Sequence, residues 1–171
     1  MRYPKLLKPD RTEAIKLRSG NIVDVPKTRP QFQAWAGEPI LDTYGKKPVL
    51  DSDGLPVFAE IRILRLFQQD SWTGVWVDTF RRKFRTEFWP KNEIQLPPQE
   101  KELLEKIYCR AGDRKGCWDV FCWKGADHIW AESKLRGRDS LRVAQEKWLQ
   151  AALECGLPLS TFLVVEWSLK K

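Results

Sequence analysis

The chain has 171 residues, of which 42 % are hydrophobic and 31 % charged, and nine of them are tryptophan. This composition is typical of a globular domain with a core, and it excludes the disordered and fibrous classes. The formal net charge of +7 favours polyanionic partners such as nucleic acid, although charge alone decides little. No stretch approaches about 18 apolar residues, so we expect a cytoplasmic protein with neither signal peptide nor membrane span.

Four cysteines are spread over the second half of the chain, and none belongs to a CxxC pair. Their spacing matches no familiar zinc pattern, which favours reduced, partly buried thiols over a structural metal site. The residues concerned are Cys109, Cys117, Cys122 and Cys155.

Residues 1–50 form a basic, proline-rich arm without helical periodicity. Within the arm, 14–18 and 21–25 alternate between apolar and polar residues, with Ser19 and Gly20 between them. This pattern predicts a β-hairpin. The rest of the arm is either extended along the domain or partly disordered.

The stretch 57–69 predicts an α-helix, because its apolar residues recur at helical spacing. Glu60 falls on or near the inward face of that helix. A carboxylate there is costly to bury unless it has an ion-pair partner or a functional role. Residues 74–80 are rich in β-branched and aromatic side chains and predict a strand. Residues 100–110 predict a second helix within an insertion at about 86–116. The apolar positions of the first helix are Val57, Ile61, Leu64 and Phe67.

The last third predicts a strand at 118–123, a turn at 124–127 and a strand at 128–134. A helix follows, capped by Asp139 or Ser140 and ended by Gly156, and a buried strand closes at 161–167. Strand, helix and strand in this order form a parallel crossover. We therefore expect an α/β fold with a central mixed sheet flanked by helices. The predicted apolar stripe of the last helix is Leu141, Ala144, Trp148, Ala152 and Cys155.

Three charged residues of the predicted hairpin converge. Glu132 and Lys134 are two apart on a strand and project to one face, and pairing across the hairpin brings Asp119 beside them. Two neighbouring carboxylates repel unless a cation lies between them, and oxygen ligands suit Mg²⁺ or Mn²⁺. Such a metal lowers the pKa of bound water, while a nearby lysine orients that water. Glu60 is a candidate third ligand, and Gln145 a candidate support for Lys134.

These residues resemble a known pattern. Asp119, the Glu132-Ser133-Lys134 strand, and Gln145 followed by Trp148 look like the PD-(D/E)XK nuclease superfamily, and most like its VRR-NUC branch. The resemblance covers 118–167 well and the helix with Glu60 more weakly. It implies a restriction-endonuclease-like core within 51–171 and Mg²⁺-dependent hydrolysis of DNA. It also makes a homodimer an open expectation, since small members often pair to cut two strands.

Two departures from the family pattern stand beside the reacting centre. Trp118 replaces the proline that precedes the aspartate in the family, and only Gly116 is kept among the residues before it. Neither change removes a proposed ligand.

Less specific interpretations remain open. Glu-x-Lys is common on strands by chance, and Glu60 has Arg62 and Arg65 nearby as ion-pair partners. If these residues have no catalytic role, the chain is a non-catalytic nucleic-acid-binding module on the same fold, or a partner-interaction subunit. An RNA nuclease is a further alternative. His128, the sole histidine, is predicted to be structural or exposed rather than catalytic.

Two basic stretches are candidates for phosphate contacts. One follows the strand 74–80 and is either a solvated edge or a DNA-binding strip with aromatic residues available for stacking. The other follows Lys134 and flanks the start of the next helix, which favours anions. The first comprises Arg81, Arg82, Lys83 and Arg85, and the second Arg136, Arg138 and Arg142.

Overall fold

A mixed β-sheet forms the centre of this computed structural model, which describes residues 3–40, 43, 47–88 and 93–170. The helices are α1 (Ala59–Gln69), α2 (Pro98–Ala111) and α3 (Val143–Glu154). Among the described residues, no helix combines the length and apolarity that crossing a membrane requires. The strands are β1 (Arg11–Lys16), β2 (Ile22–Thr28), β3 (Gln31–Phe32), β4 (Leu50–Asp51), β5 (Pro56–Val57), β6 (Thr73–Asp78), β7 (Lys83–Arg85), β8 (Glu93–Ile94), β9 (Val120–Lys124), β10 (Asp127–Leu135) and β11 (Phe162–Leu169).

The central sheet has the order β1-β2-β11-β10-β9-β6-β7-β8, and β3 also pairs with β11. Strand β11 runs parallel to β10, β2 and β3, whereas the other neighbours are antiparallel. Helix α3 connects β10 to β11, so the predicted parallel crossover is confirmed. The mixed α/β architecture with flanking helices is confirmed as well.

Alternating side chains build a core on each face of the sheet. On β9, Val120 and Cys122 pack in the cluster that contains α1, while Phe121 packs with α2 and α3. On β10, Trp130 stacks on Phe121 with ring centroids 4.3 Å apart. Both faces of the sheet are therefore covered, which explains the nearly continuous apolar run of β11.

Helix α1 begins two residues later than predicted. Val57 pairs with Leu50 in a short antiparallel ladder, so it is a strand residue and Phe58 stands at the helix cap. The predicted stripe is otherwise confirmed, because Ile61, Leu64 and Phe67 are at most 1 % exposed. The predicted inward position of Glu60 is also confirmed, since that residue is 6 % exposed.

The elements between α1 and β9 match the prediction with shifted ends. Strand β6 stops at Asp78 and the chain turns there, whereas the prediction ran to Phe80. The insertion contains β8 and α2, and α2 extends the predicted helix by a residue or two at each end. The turn between β9 and β10 is shorter than predicted, because Lys124 and Asp127 already pair with each other.

The predicted cap of α3 is wrong. The helix begins at Val143, and Gln145 Oε1 accepts the N–H of Arg142 at 3.0 Å. Asp139 instead accepts the N–H of Leu135 at 3.1 Å and closes the turn after β10. Leu141 therefore precedes the helix, and the helix keeps the more deeply buried residues of the predicted apolar stripe. Of these, Trp148 and Ala152 are fully buried.

The arm joins the sheet rather than lying outside it. The predicted hairpin is confirmed, with Ala14 opposite Asp24 in β1 and β2. Strand β2 then pairs with β11, and β3 pairs with the end of β11. Residues of the arm are thus held by main-chain hydrogen bonds to the strand that follows α3.

Candidate active site

The hairpin of β9 and β10 places Asp119 against Glu132. Val120 pairs with Ala131, so the next residues along the two strands lie opposite each other. The carbonyl of Asp119 accepts the N–H of Val77 at 2.7 Å, and its Oδ2 accepts the N–H of Ser133 at 3.0 Å. The first hydrogen bond fixes the main chain of Asp119 against β6, and the second orients its carboxylate against β10.

Glu132, Lys134 and Gln145 form a hydrogen-bonded triangle. Lys134 Nζ lies 2.7 Å from Glu132 Oε1 and 3.1 Å from Gln145 Oε1. Gln145 Nε2 in turn donates to Glu132 Oε1 at 2.5 Å. Glu132 is 1 % exposed and Lys134 is 8 % exposed, so both charged groups of the triangle are buried.

Gly116 sets the distance between the start of β9 and the start of α3. Its φ of +78° is in the left-handed region, and a Cβ there would lie 2.0 Å from the carbonyl oxygen of Ala144. Only glycine permits this approach. Lys147 Nζ binds Asp113 Oδ2 at 2.6 Å and ties the same loop to α3. The glycine kept before Asp119 therefore has a packing reason.

Glu60 reaches the site from the other face of the sheet, and its partner is Lys47 of the arm. The Lys47 ammonium also lies 5.8 Å from the ring centroids of Phe58 and Trp76. Neither nearby arginine of α1 is the partner of Glu60. Arg62 binds Ser52 and Asp53, and Arg65 binds the carbonyl of Ser52. Nothing in the irregular sequence around Lys47 pointed to this contact.

The charges in the site are strongly coupled. Burial, followed by the negative charges of Glu132 and Glu60, raises the pKa of Asp119 well above its ordinary value, while Lys47 opposes the rise. Burial also raises the pKa of Glu132, although Lys134 opposes this. Glu132 Oε2 is buried without a hydrogen-bond donor, and Asp119 can supply one only when it is protonated. Three carboxylates thus face two ammonium groups, and the balance is negative.

The donor chemistry of the site suits a hard divalent cation. Carboxylate oxygens are the preferred ligands of Mg²⁺, and Glu132 Oε2 has no competing donor. As placed, however, no three His, Cys, Asp or Glu side chains of the described residues are grouped to hold a metal ion. Lys47 pairs with Glu60, and Lys134 with Glu132. Asp119 and Glu132 are therefore the best candidate metal ligands. Glu60 can bind the same metal only if its ion pair with Lys47 breaks.

A cleft of about 1760 Å³ opens over these residues, and basic side chains surround it. They come from the turn after β6 and the start of β7, from α2, from the loop before β9 and from the loop after β10. Arg136 is exposed and does not line the cleft, unlike the other predicted phosphate-contacting residues that follow Lys134. The basic lining residues outside the carboxylate cluster are Arg81, Arg82, Lys83, Lys101, Arg114, Lys115, Arg138 and Arg142.

The cations of the cleft are not equally available to a phosphate. Lys83 pairs with Glu93 at 2.6 Å, and Arg114 pairs with Glu105 at 2.5 Å. Arg85, which the sequence placed in the basic strip, is instead 3 % exposed and binds the buried Asp78. Within the described parts of the chain, five lining cations form no ion pair. They are Arg82, Lys101, Lys115, Arg138 and Arg142.

His128 has the structural environment that the sequence predicted. Its ring stacks near Phe121 and Trp130, and its Nε2 lies 3.9 Å from Glu100. Burial lowers the pKa of His128, so the imidazole is neutral at pH 7. It takes no part in the carboxylate cluster.

Comparison with known proteins yields no relative. No protein-family model, no curated protein and no solved structure matches the chain. The chemistry of the site is therefore the basis for assigning a function.

Proposed function

We propose that the protein is a metal-dependent nuclease of the PD-(D/E)XK type that hydrolyses DNA phosphodiester bonds. The observation that carries this proposal is the close grouping of Asp119, Glu132 and Lys134 at the floor of a basic cleft, where Glu132 and Lys134 are buried and Asp119 is half-buried. Buried carboxylates with raised pKa values in a cleft are typical of catalytic sites.

Asp119 and Glu132 are the residues that would hold Mg²⁺ or Mn²⁺, with Glu60 as a further ligand. When bound, the metal supplies an activated water and polarises a phosphoryl oxygen. The lysines of the site do not neutralise all of its negative charge. A cation shared by the two carboxylates would lower their mutual repulsion, so the site favours metal binding.

Lys134 is the residue that faces the reacting phosphate in this proposal. Glu132 Oε1 and Gln145 Oε1 hold its ammonium on two sides. A fixed positive charge of this kind stabilises negative charge that develops in the transition state, at no cost of reorganisation. Gln145 acts as a positioning residue, since it bridges Lys134 and Glu132 from the first turn of α3.

The basic surround of the cleft supports a nucleic-acid substrate. Arg82, Arg138 and Arg142 have no ion-pair partner among the described residues, so their charge is available to backbone phosphates. They stand on two sides of the cleft, in the turn after β6 and in the loop after β10. A polyanion that bridges them passes over the carboxylate cluster.

A non-catalytic nucleic-acid-binding module on the same fold is the second candidate. The ion pairs of Glu60 with Lys47 and of Glu132 with Lys134 favour it, because they give two of the three acids a structural partner. Under this alternative the cluster stabilises the fold and the cleft binds DNA without cutting it.

The decisive test is cleavage by the full chain of plasmid, linear, single-stranded and flapped DNA, and of RNA, with Mg²⁺, Mn²⁺ or EDTA. We expect metal-dependent cutting that falls by about 100-fold or more in Glu132→Gln and in Lys134→Ala. Glu100→Gln is the matched control, because Glu100 is also a buried glutamate but lies beside His128, away from the cluster.

Two further readouts interpret the outcome. Circular dichroism checks that each variant is folded, and calorimetry with Mn²⁺ measures metal binding. Folded wild-type protein that binds Mn²⁺ yet cuts none of these substrates would refute the nuclease. DNA binding without cleavage would then favour the binding module.

A further inference from the structure

Phe80 is the most exposed large hydrophobic residue of the described chain. Its relative exposure is 86 %, and it lies in the turn 79–82 between β6 and β7. This turn stands at the mouth of the cleft whose floor holds Asp119 and Glu132. A single exposed apolar residue is common on protein surfaces and indicates no function by itself. The evidence for a function of Phe80 comes from the hydrogen bonds and backbone conformation of its turn.

The turn is anchored by a buried carboxylate. Asp78 is 2 % exposed, and its Oδ1 accepts the N–H of Arg81 at 3.2 Å. Its Oδ2 accepts a hydrogen bond from Arg85 Nε, also at 3.2 Å, across the start of β7. Arg82 adopts a φ of +55°, a left-handed conformation that costs a non-glycine residue about 1 kcal/mol or more. The backbone is therefore held in a shape that presents Phe80 to solvent.

Three consecutive cations follow Phe80 in the chain, and the first of them contacts its ring. The guanidinium of Arg81 lies 5.5 Å from the ring centroid of Phe80, and Arg82 and Lys83 follow along the cleft. Arg82 forms no ion pair among the described residues, and an exposed aromatic ring beside such a cation matches the chemistry of single-stranded nucleic acid. A base stacks on the ring, while the flanking phosphates meet the cations.

We infer that Phe80 stacks on an unpaired base of the nucleic acid that enters the cleft. Bases within a duplex already stack on each other, so the ring favours substrates with a single-stranded segment next to the carboxylate cluster. The inference rests on the proposed function, which makes nucleic acid the ligand of the cleft. It goes further by assigning the recognition of unpaired nucleotides to the turn 79–82.

The test measures binding in EDTA, so that it does not depend on cleavage. Fluorescence anisotropy compares a single-stranded oligonucleotide, the same strand within a duplex, and a duplex with a single-stranded overhang. A 2-aminopurine in the single strand reports stacking directly. The proteins are the wild-type full chain, Phe80→Ala, Phe80→Trp and the control Ile22→Ala, whose side chain is exposed on the arm hairpin.

We expect Phe80→Ala to weaken binding of the single strand and of the overhang by roughly tenfold, with duplex binding changed by no more than about twofold. Phe80→Trp should retain both affinity and 2-aminopurine quenching, and Ile22→Ala should match the wild type. An equal loss for duplex and single strand, or no loss at all, would overturn the inference.

The two proposals fail separately. Cleavage by the wild type together with unchanged single-strand binding in Phe80→Ala overturns only the role of Phe80. Selective loss of single-strand binding in a protein that never cuts DNA supports the role of Phe80 and removes the nuclease. Self-association that Phe80→Ala abolishes, with nucleic-acid affinity unchanged, overturns the inference in favour of a protein partner.

Discussion

Two clusters of charged side chains lie against the central sheet, and the ratio of acids to bases differs between them. We call the first the balanced cluster: Lys27, Glu13, Arg29 and Glu166. Lys27 is 5 % exposed, and its ammonium lies 2.5 Å from Glu13 and 2.8 Å from Glu166, which also pairs with Arg29. Although burial acts to raise it, Lys27 and Arg29 lower the pKa of Glu166 below its ordinary value.

We call the second group the acidic cluster: Glu60, Asp119, Glu132, Lys47 and Lys134. Here three acids meet two bases, and the pKa values of Asp119 and Glu132 are raised rather than lowered. The balanced cluster thus gains stability from the ionised form of Glu166, whereas ionising Asp119 and Glu132 costs stability. Incomplete compensation of buried charge separates the candidate site from a structural ion pair on the same scaffold.

The largest expected effect that tests this comparison is in the balanced cluster. Lys27→Met leaves the half-buried Glu166 with one partner fewer and should lower the free energy of unfolding by about 3 kcal/mol. Urea unfolding measures the change. Lys16→Met, an exposed lysine of the same hairpin, is the control and should stay within about 0.5 kcal/mol. Equal effects of the two substitutions would remove the structural role of the balanced cluster.

A smaller effect of opposite sign is expected in the acidic cluster. Asp119→Asn keeps an oxygen for the Ser133 N–H but removes one repelling charge, so it should raise the free energy of unfolding by about 1 kcal/mol in EDTA at pH 7. A raised folded-state pKa means that protonation stabilises the wild type at low pH, and that this contribution is lost as pH rises through the folded pKa.

The gain from Asp119→Asn should therefore shrink as pH falls toward the ordinary carboxyl value of 3.8. Unfolding curves between pH 3 and pH 8 measure it, with Glu166→Gln as the opposite case. Glu166 has a lowered pKa, so it contributes stability above its unfolded pKa that is lost as pH falls through the folded one. Destabilisation by Asp119→Asn at pH 7 would contradict the proposed repulsion.

The smallest expected effect concerns Lys47 and sharpens the metal proposal. Its ammonium opposes a cation near Glu60 and Asp119, so Lys47→Met should tighten Mn²⁺ binding. We expect about threefold, a modest effect because the Lys47 side chain is 38 % exposed and partly screened by solvent. Calorimetry measures the affinity, beside Lys124→Met as an exposed control. Weaker binding in Lys47→Met would mean that this lysine supports the site rather than competing with the cation.

The sequence by itself determined the local elements and the residues that share a face. A period of two places Glu132 and Lys134 on one side of β10, and a period near 3.6 buries Glu60 with Ile61 and Leu64. The hairpin of the arm and the parallel crossover around α3 were also predictable. These features depend on neighbours within a few residues, or on topological rules for consecutive strands.

Tertiary structure alone decided the contacts between distant segments. Lys47 meets Glu60 through an irregular stretch of chain, and Glu13, Lys27 and Glu166 meet because β2 pairs with β11. The exposure of Phe80 likewise depends on where β6 stops. Such contacts follow from strand register and from the packing of separate elements, which no local pattern encodes.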